Sequence, residues 1–270
     1  MDWSAIAERG IVLLGCGKMG SALLAGWLRG GLPPAAVWVI DPAPSVWVRA
    51  QGVHLNAAVP DRPAVALVAV KPQMMGAALP SLQALGGGTT LIVSVAAGTP
   101  IAAFEAVLGA RTPIIRTMPN TPAAIGRGIT ALVGNAASTP AQIDLAEGLM
   151  AAVGQTVRLE NEDQIDAVTA VSGSGPAYVF HLIETLAAAG VAEGLPPAMA
   201  LQLARATVAG AGALAEHDDN PAELRRNVTS PNGTTQAALE VLMEPATGFP
   251  ALLRAAVHRA RVRSQELSRG

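Results

Sequence analysis

The stretch that most constrains this chain is Ile11-Val12-Leu13-Leu14, followed at once by Gly15-Cys16-Gly17-Lys18-Met19-Gly20 and a helical run from Ser21 to Leu28. A short apolar run reads as a buried strand, and a G-x-G-x-x-G turn between strand and helix is the dinucleotide fingerprint in its required context. The first glycine makes the turn, the second lets the backbone approach a pyrophosphate, and the third permits close helix-to-strand packing. A second apolar strand, Val37-Trp38-Val39-Ile40, ends in Asp41. A carboxylate at that point can accept hydrogen bonds from both ribose hydroxyls and repels a 2′-phosphate, which favours NADH over NADPH. The competing reading of Asp41 is a turn residue before Pro42.

Alternation continues beyond this unit. The runs 66–70, 91–95, 113–116 and 129–133 are short and apolar, separated by helical or turn-rich segments, which is the pattern of a doubly wound α/β domain. Ligands bind at the carboxyl ends of strands in such sheets, so Lys71-Pro72, Ala96-Ala97-Gly98 and Met118-Pro119-Asn120-Thr121-Pro122 are the stretches of interest. Lys71 is one of two lysines in the chain, the other being Lys18 in the fingerprint. A helix from about Pro140 to Val153 and a strand at 155–159 close this domain, and Glu160-Asn161-Glu162-Asp163 marks its edge. The expected division is therefore 1–160 for dinucleotide binding and 161–270 for a second, helical domain. In the latter, Ala177 to Ala189 is apolar on nearly every face, and burial against a second subunit is the simplest remedy. Further helices are expected at 197–215, 236–243 and 249–267. The last carries Arg254, His258, Arg261 and Arg263 on its polar side, read as a solvated or intersubunit face.

Composition narrows the partners. Hydrophobic residues make up 51% of the 270 and charged residues 14%, more apolar surface than a monomer of this size needs, which points to an oligomer. Net charge is −2, with no basic stripe interleaved with aromatics, so the expected partner is a small molecule rather than nucleic acid or a membrane surface. The single cysteine, Cys16, excludes an internal disulfide and any multi-Cys zinc site. His54, His181, His217 and His258 lack metal-ligand spacing, so no metal is expected; Ser174 lies between glycines without a nucleophile elbow. With no basic stretch at the start and one cysteine, the expected setting is cytoplasmic.

One polar loop stands out in the apolar C-terminal third: Val228-Thr229-Ser230-Pro231-Asn232-Gly233-Thr234-Thr235. Pro followed by Asn-Gly favours a tight turn, and the two threonines then enter the next helix, where free backbone N–H groups attract an anion. The sharp reading is a carboxylate clamp. The plain one is a capped loop, ordinary turn chemistry for this composition.

Taken together, these segments resemble the Δ1-pyrroline-5-carboxylate reductases. The matching stretches are Gly15 to Gly20, Val70-Lys71-Pro72, Ser94-Val95-Ala96-Ala97-Gly98, Arg116 through Pro122, Asp166-Ala167-Val168-Thr169 with Ser172-Gly173-Ser174-Gly175-Pro176-Ala177-Tyr178, and Ser230 to Thr235. They run in the family's order over almost the whole chain. The resemblance implies a Rossmann-type doubly wound sheet followed by an all-helical dimerisation domain, assembled as a homodimer and in some members as a ring of dimers. It implies that Ser230, Gly233, Thr234 and Thr235 hold the substrate carboxylate, with Thr235 also reaching the ring nitrogen as the catalytic hydroxyl. Asn56, Ala69, Lys71, Pro72 and Ala97 match positions lining the cofactor, beside the fingerprint residues Gly15, Cys16, Gly17, Lys18, Met19 and Gly20. Two departures stand out: Asn232 replaces a usual glycine, although Asn tolerates the same left-handed backbone, and Arg226 replaces an acidic residue.

The implied reaction is reduction of the cyclic imine pyrroline-5-carboxylate to proline by hydride from NADH or NADPH. A rival within the oxidoreductases is a hydroxyacid dehydrogenase of the 6-phosphogluconate or 3-hydroxyisobutyrate type, but those rely on a lysine in the second domain and this chain has none after Lys71. A rival from another class is a non-catalytic NAD-binding protein that kept the fold.

Overall fold

The computed structural model describes residues 3–217 and 220–269. Two compact units divide the chain, Met1–Gly173 with Ala260–Gly270 and Ser174–Arg259.

The first unit opens with α1 (Ser4–Arg9), β1 (Ile11–Leu14), α2 (Lys18–Arg29) and β2 (Val37–Ile40). It continues through α3 (Val46–Arg49), β3 (His54–Leu55), β4 (Val65–Val68), α4 (Met75–Ala78), β5 (Leu91–Ser94) and α5 (Ile101–Leu108). Then come β6 (Ile114–Met118), β7 (Gly128–Gly134), α6 (Pro140–Ala151), β8 (Gly154–Arg158) and the short α7 (Ile165–Val168). The eight strands order as β3-β2-β1-β4-β5-β6-β7-β8, and every neighbouring pair is parallel except β6 with β7. Strand order reverses between β1 and β4, which flank each other at the centre of the parallel part. This is the doubly wound fold that the alternation predicts, with two additions. The edge strand β3 spans only two residues, too few for a periodicity to register. Residues 128–134 form a strand as expected but run antiparallel to β6, because only Pro119 through Arg127 separates them, too short a connection for a parallel crossover.

Alternate residues along each central strand feed two cores, one on each face of the sheet. Ile11, Leu13, Val37, Val39, Val65 and Leu67 pack on one side with Leu23, Leu24 and Trp27 of α2 and Leu149 and Met150 of α6. Val12, Leu14, Ala66, Val68 and Ile92 pack on the other with Met75, Leu79 and Leu82 and with Ile101, Phe104 and Leu108 of α5. Burying each such side chain contributes about 1.5–3 kcal/mol. The buried Trp27 indole in the first core is satisfied: its N–H donates to Leu149 O at 2.9 Å. Helix α6 starts where its sequence says it should, with Pro140 at its first position and a reciprocal cap between Thr139 and Gln142.

The strand reading of 66–70 ends early in the structure. Register pairing ends at Val68, and the last bond to β1 is the Ala69 N–H donating to Leu14 O at 2.8 Å. The compact first unit also extends past the acidic stretch at 160–163, which the sequence reading uses as the domain edge. Ile165 is buried in the same core as Phe104, and Ser264, from the end of the last helix, donates to Asp166 Oδ1 at 2.6 Å. The acidic residues mark the end of the last strand, not of the packing.

The second unit is helical: α8 (Gly175–Ala192), α9 (Pro197–Ala215), α10 (Pro221–Asn227), α11 (Thr234–Leu242) and the first half of α12 (Phe249–Arg269). Helices α8 and α9 approach closely, since a Cβ on Gly190 would lie 3.3 Å from the Ala200 Cβ. Among the described residues of this unit, Ala200 and Ala204 are the buried hydrophobics. Val179, Phe180, Leu186, Met199, Leu201, Leu203 and Leu214 are exposed, Phe180 at 59%. A helical unit with so little core of its own and so many uncovered apolar side chains has the character of an interaction surface. Helix α9 is also long and apolar enough, by length and composition, to cross a membrane.

Candidate functional site

The glycine turn after β1 shows three different reasons for one residue type. Gly15 has φ +86°, a left-handed conformation that a side chain rarely adopts, and its N–H donates to Ile40 O at 2.8 Å. A Cβ on Gly20 would lie 2.5 Å from Gly15 O, so the helix can sit this close only without one. At Gly17, by contrast, a Cβ would meet nothing within 4 Å. Gly17 is the N-cap of α2 and no side chain caps that end, so the exposed turn offers helix N–H groups and open space together. That is the donor set and the room a pyrophosphate needs.

Asp41 closes this cradle from β2. Its Oδ2 accepts from the Cys16 N–H at 2.6 Å and its Oδ1 from the Ala43 N–H at 2.8 Å. Asn56 fixes the backbone of Asp41 in both directions: its side-chain N–H donates to Asp41 O at 2.9 Å, and its Oδ1 accepts from the Asp41 N–H at 2.9 Å. Asn56 itself adopts φ +50°. The structure thus brings Cys16, Asp41 and Asn56 into one bonded group, with Asn56 acting through Asp41. Cys16 is buried, and burial pushes its thiol pKa up; a hydrogen bond with Ser21 works the other way and the nearby Asp41 charge adds to the rise. A thiol held neutral is a small packing residue rather than a nucleophile.

The other candidate residues of the first unit lie at the same edge of the sheet. Ala69 follows β4, and its carbonyl oxygen would sit 2.9 Å from a Cβ on Gly15. Lys71 and Pro72 follow it, both exposed, with Lys71 capping a 3-10 turn that begins at Pro72. Ala97 follows β5 in a half-buried position. Lys18 is the exposed first residue of α2, while Met19 turns inward against the first core. All stand outside the carboxyl ends of β1, β2, β4 and β5, where the strand order reverses and where such sheets bind ligands.

Within the second unit, the polar loop enters α11 at Thr234. Gly233 is the N-cap, and no side chain caps the helix. Asn232 has φ +58°, the left-handed conformation its type tolerates, and its N–H donates to Gln236 Oε1 at 2.8 Å. The Gly233 N–H donates to Ser230 O at 3.1 Å, which folds Ser230 back towards the helix start. Ser230 and Thr234 are exposed and Thr235 is half-buried. Three hydroxyls and an open helix N-terminus are therefore gathered in one turn, a suitable receptor for a carboxylate. Arg226, the departure upstream, pairs with Glu223 at 3.2 Å on the surface of α10.

Two residues that the sequence reading does not assign to a site lie behind the β5 loop. Arg116, buried on β6, donates from Nη1 to Glu162 Oε1 at 2.6 Å, and the Ile101 N–H donates to the same oxygen at 2.8 Å. The trace in the sequence is one charged residue in the buried strand β6; its partner lies 46 residues away.

Fold and site together define a pyridine-nucleotide oxidoreductase built on a Rossmann domain. Comparison with known proteins gives the family. Residues 162–267 match the family described as pyrroline-5-carboxylate reductase dimerisation, and residues 10–98 match NADP oxidoreductase coenzyme F420-dependent. A pyrroline-5-carboxylate reductase of Pseudomonas aeruginosa is 42% identical over 265 residues, covering 96% of each chain. The solved pyrroline-5-carboxylate reductase of Coxiella burnetii superposes with a TM-score of 0.88 at 33% identity, covering 96% of this chain and 98% of that one. The Plasmodium falciparum pyrroline carboxylate reductase, solved with NADP bound, superposes at 0.82 with 26% identity over 97% and 99%. This chain belongs to the pyrroline-5-carboxylate reductase family.

Proposed function

We propose that this chain reduces pyrroline-5-carboxylate to proline, the closing step of proline biosynthesis, with NADH favoured over NADPH. The observation that carries the proposal is the start of α11, where Ser230, Thr234 and Thr235 surround a helix N-terminus that no side chain caps. In this reading Ser230, Gly233, Thr234 and Thr235 bind the substrate carboxylate through hydroxyl and backbone donors. Thr235 also hydrogen-bonds the ring nitrogen. Threonine is a poor acid, so water supplies the proton before binding, and the iminium is the better hydride acceptor because its charge withdraws electrons from the C=N carbon. Holding the ring by its carboxylate makes hydride transfer an oriented step, worth on the order of several kcal/mol.

Residues Gly15 to Gly20, with Asp41, Asn56, Ala69, Lys71, Pro72 and Ala97, would hold the dinucleotide; its reduced nicotinamide supplies the hydride. NADH preference is supported by Asp41, whose carboxylate stands at the end of β2 with each oxygen fixed by a backbone N–H. A hydroxyacid dehydrogenase is less well supported, since no lysine follows Lys71.

The exposed apolar side chains of α8 and α9, within the matched dimerisation region, support a homodimer in which α9 faces a second subunit rather than lipid. A ring of dimers and a cytoplasmic setting belong to the same proposal. Initial rates with pyrroline-5-carboxylate and each reduced cofactor, with proline detected as product, test it. Faster turnover with NADH supports both parts; turnover favouring NADPH keeps the reaction and removes the role of Asp41. Dinucleotide binding without turnover would leave a binding protein.

A further inference from the structure

We infer that Glu162 is a positioning residue for the nicotinamide end of the cofactor, acting through the N-terminus of α5; the inference rests on the dinucleotide-binding reading above. The loop 95–100 leaves β5 and enters α5 at Ile101, and it carries Ala97 at the carboxyl edge of the sheet. Its beginning is fixed by the sheet: the Val95 N–H donates to Val68 O at 3.0 Å and the Ala96 N–H to Ser94 Oγ at 3.2 Å. Its end lacks a local anchor. Pro100 is the N-cap of α5 and has no side chain that could accept a hydrogen bond.

Glu162 supplies that anchor from 61 residues away, its Oε1 accepting from the Ile101 N–H at 2.8 Å. The same oxygen accepts from Arg116 at 2.6 Å, and Arg116 is the register partner of Ser94, where the loop departs. One carboxylate oxygen therefore ties the end of the loop to the strand beside its start. The contact is charge-assisted, and the positive end of the α5 dipole favours it further. A third constraint comes from α12: Gly98 has φ +70°, and a Cβ there would lie 3.3 Å from Leu267 O. The six residues are hydrogen-bonded at both ends and lie close against the Leu267 carbonyl in the middle. Such an arrangement preserves the height of Ala97 above the sheet, on which the distance from hydride donor to acceptor depends.

The competing role for the pair is to hold the fold together and nothing more, and the test separates the two. Glu162→Ala removes the acceptor; Glu162→Gln keeps an oxygen for Ile101 and Arg116 and loses the charge, and it carries the test if the alanine variant fails to fold. In the full-length protein, affinity is measured for NADH and for ADP-ribose, which lacks the nicotinamide, together with kcat and the isotope effect with NADH deuterated at the transferred position. Expected for Glu162→Ala are ADP-ribose affinity within about twofold, NADH weakened about fivefold, kcat lowered about tenfold or more, and a larger isotope effect, with Glu162→Gln intermediate. Equal weakening of both ligands, or a lower melting temperature with an unchanged NADH-to-ADP-ribose ratio, overturns the inference. If the wild-type protein fails to reduce the imine while that ratio still falls in the variants, the positioning role stands and the substrate assignment is what fails.

Discussion

The backbone N–H of Cys16 lies 2.6 Å from Asp41 Oδ2, so the carboxylate at the end of β2 is bonded directly to the glycine turn after β1. In the proposed reading Asp41 has two tasks. It orders the turn that would receive the pyrophosphate, and it presents a negative charge where the adenine ribose is expected. Replacing it with a small neutral residue would mix these effects, whereas Asp41→Asn keeps one carbonyl acceptor and removes the charge. The NADPH-to-NADH ratio of kcat/KM should rise about tenfold in that variant, equivalent to roughly 1.4 kcal/mol. An unchanged ratio would remove Asp41 from cofactor selection.

Two glycines of the same turn should respond in opposite ways. Gly20→Ala places a methyl 2.5 Å from Gly15 O, and the shift it forces should lower stability by about 1–3 kcal/mol. Gly17→Ala meets no protein atom within 4 Å, so its melting temperature should match the wild type while its affinity for NADH falls. Thermal melting beside calorimetric titration checks both, and a destabilised Gly17→Ala with normal affinity would contradict the cradle.

Removal of one hydroxyl tests the substrate loop. Thr235→Ala should lower kcat/KM for the imine by about tenfold to a hundredfold, the range for losing a group that acts in the transition state, with NADH affinity within about twofold. Thr235→Ser should recover most of the loss, because the hydroxyl rather than the methyl makes the contact. Unaltered kinetics in the alanine variant would take Thr235 out of the mechanism.

The raised pKa of Cys16 sets a pH dependence with a definite sign. Burial raises the thiol above its ordinary value in the folded protein, so the folded state favours the neutral form. Its contribution to stability is complete below the unfolded thiol's pKa, about 8.5, and is lost as pH rises through the higher folded value. Iodoacetamide at pH 8, followed by mass spectrometry, should modify native Cys16 at least about tenfold more slowly than the denatured chain. Equal rates would mean that the thiol is accessible and ionised in the native state.

Much of the architecture was legible before any coordinates because it rests on local chemistry. The strand at Ile11–Leu14, the glycine turn and the helix behind it are specified by adjacent residues, and the ends of α9 fall at Pro197 and Ala215 as the helical pattern suggests. Asn232 adopts the left-handed conformation its type allows. Less was legible where the cause is distant in sequence. In the two-residue strand β3, His54 pairs with Trp38 of β2 and stacks on it with centroids 4.4 Å apart, and no periodicity in two residues announces that. The acidic stretch at 160–163 reads as a boundary, yet Glu162 turns inward to Arg116 and Ile101, and the following helix stays in the core of the first unit.

Sequence by itself determined the cofactor turn, the alternation that builds the sheet, the helical character of the second unit and the family, because each depends on residue types at short, fixed spacings. Tertiary structure alone decided that Asp41 bonds to Cys16, that Asn56 works through Asp41, and that Glu162 supplies the cap missing from Pro100. Those contacts join residues 15 to 61 positions apart. No local pattern encodes them, since the partners come within hydrogen-bonding distance only after the sheet has assembled.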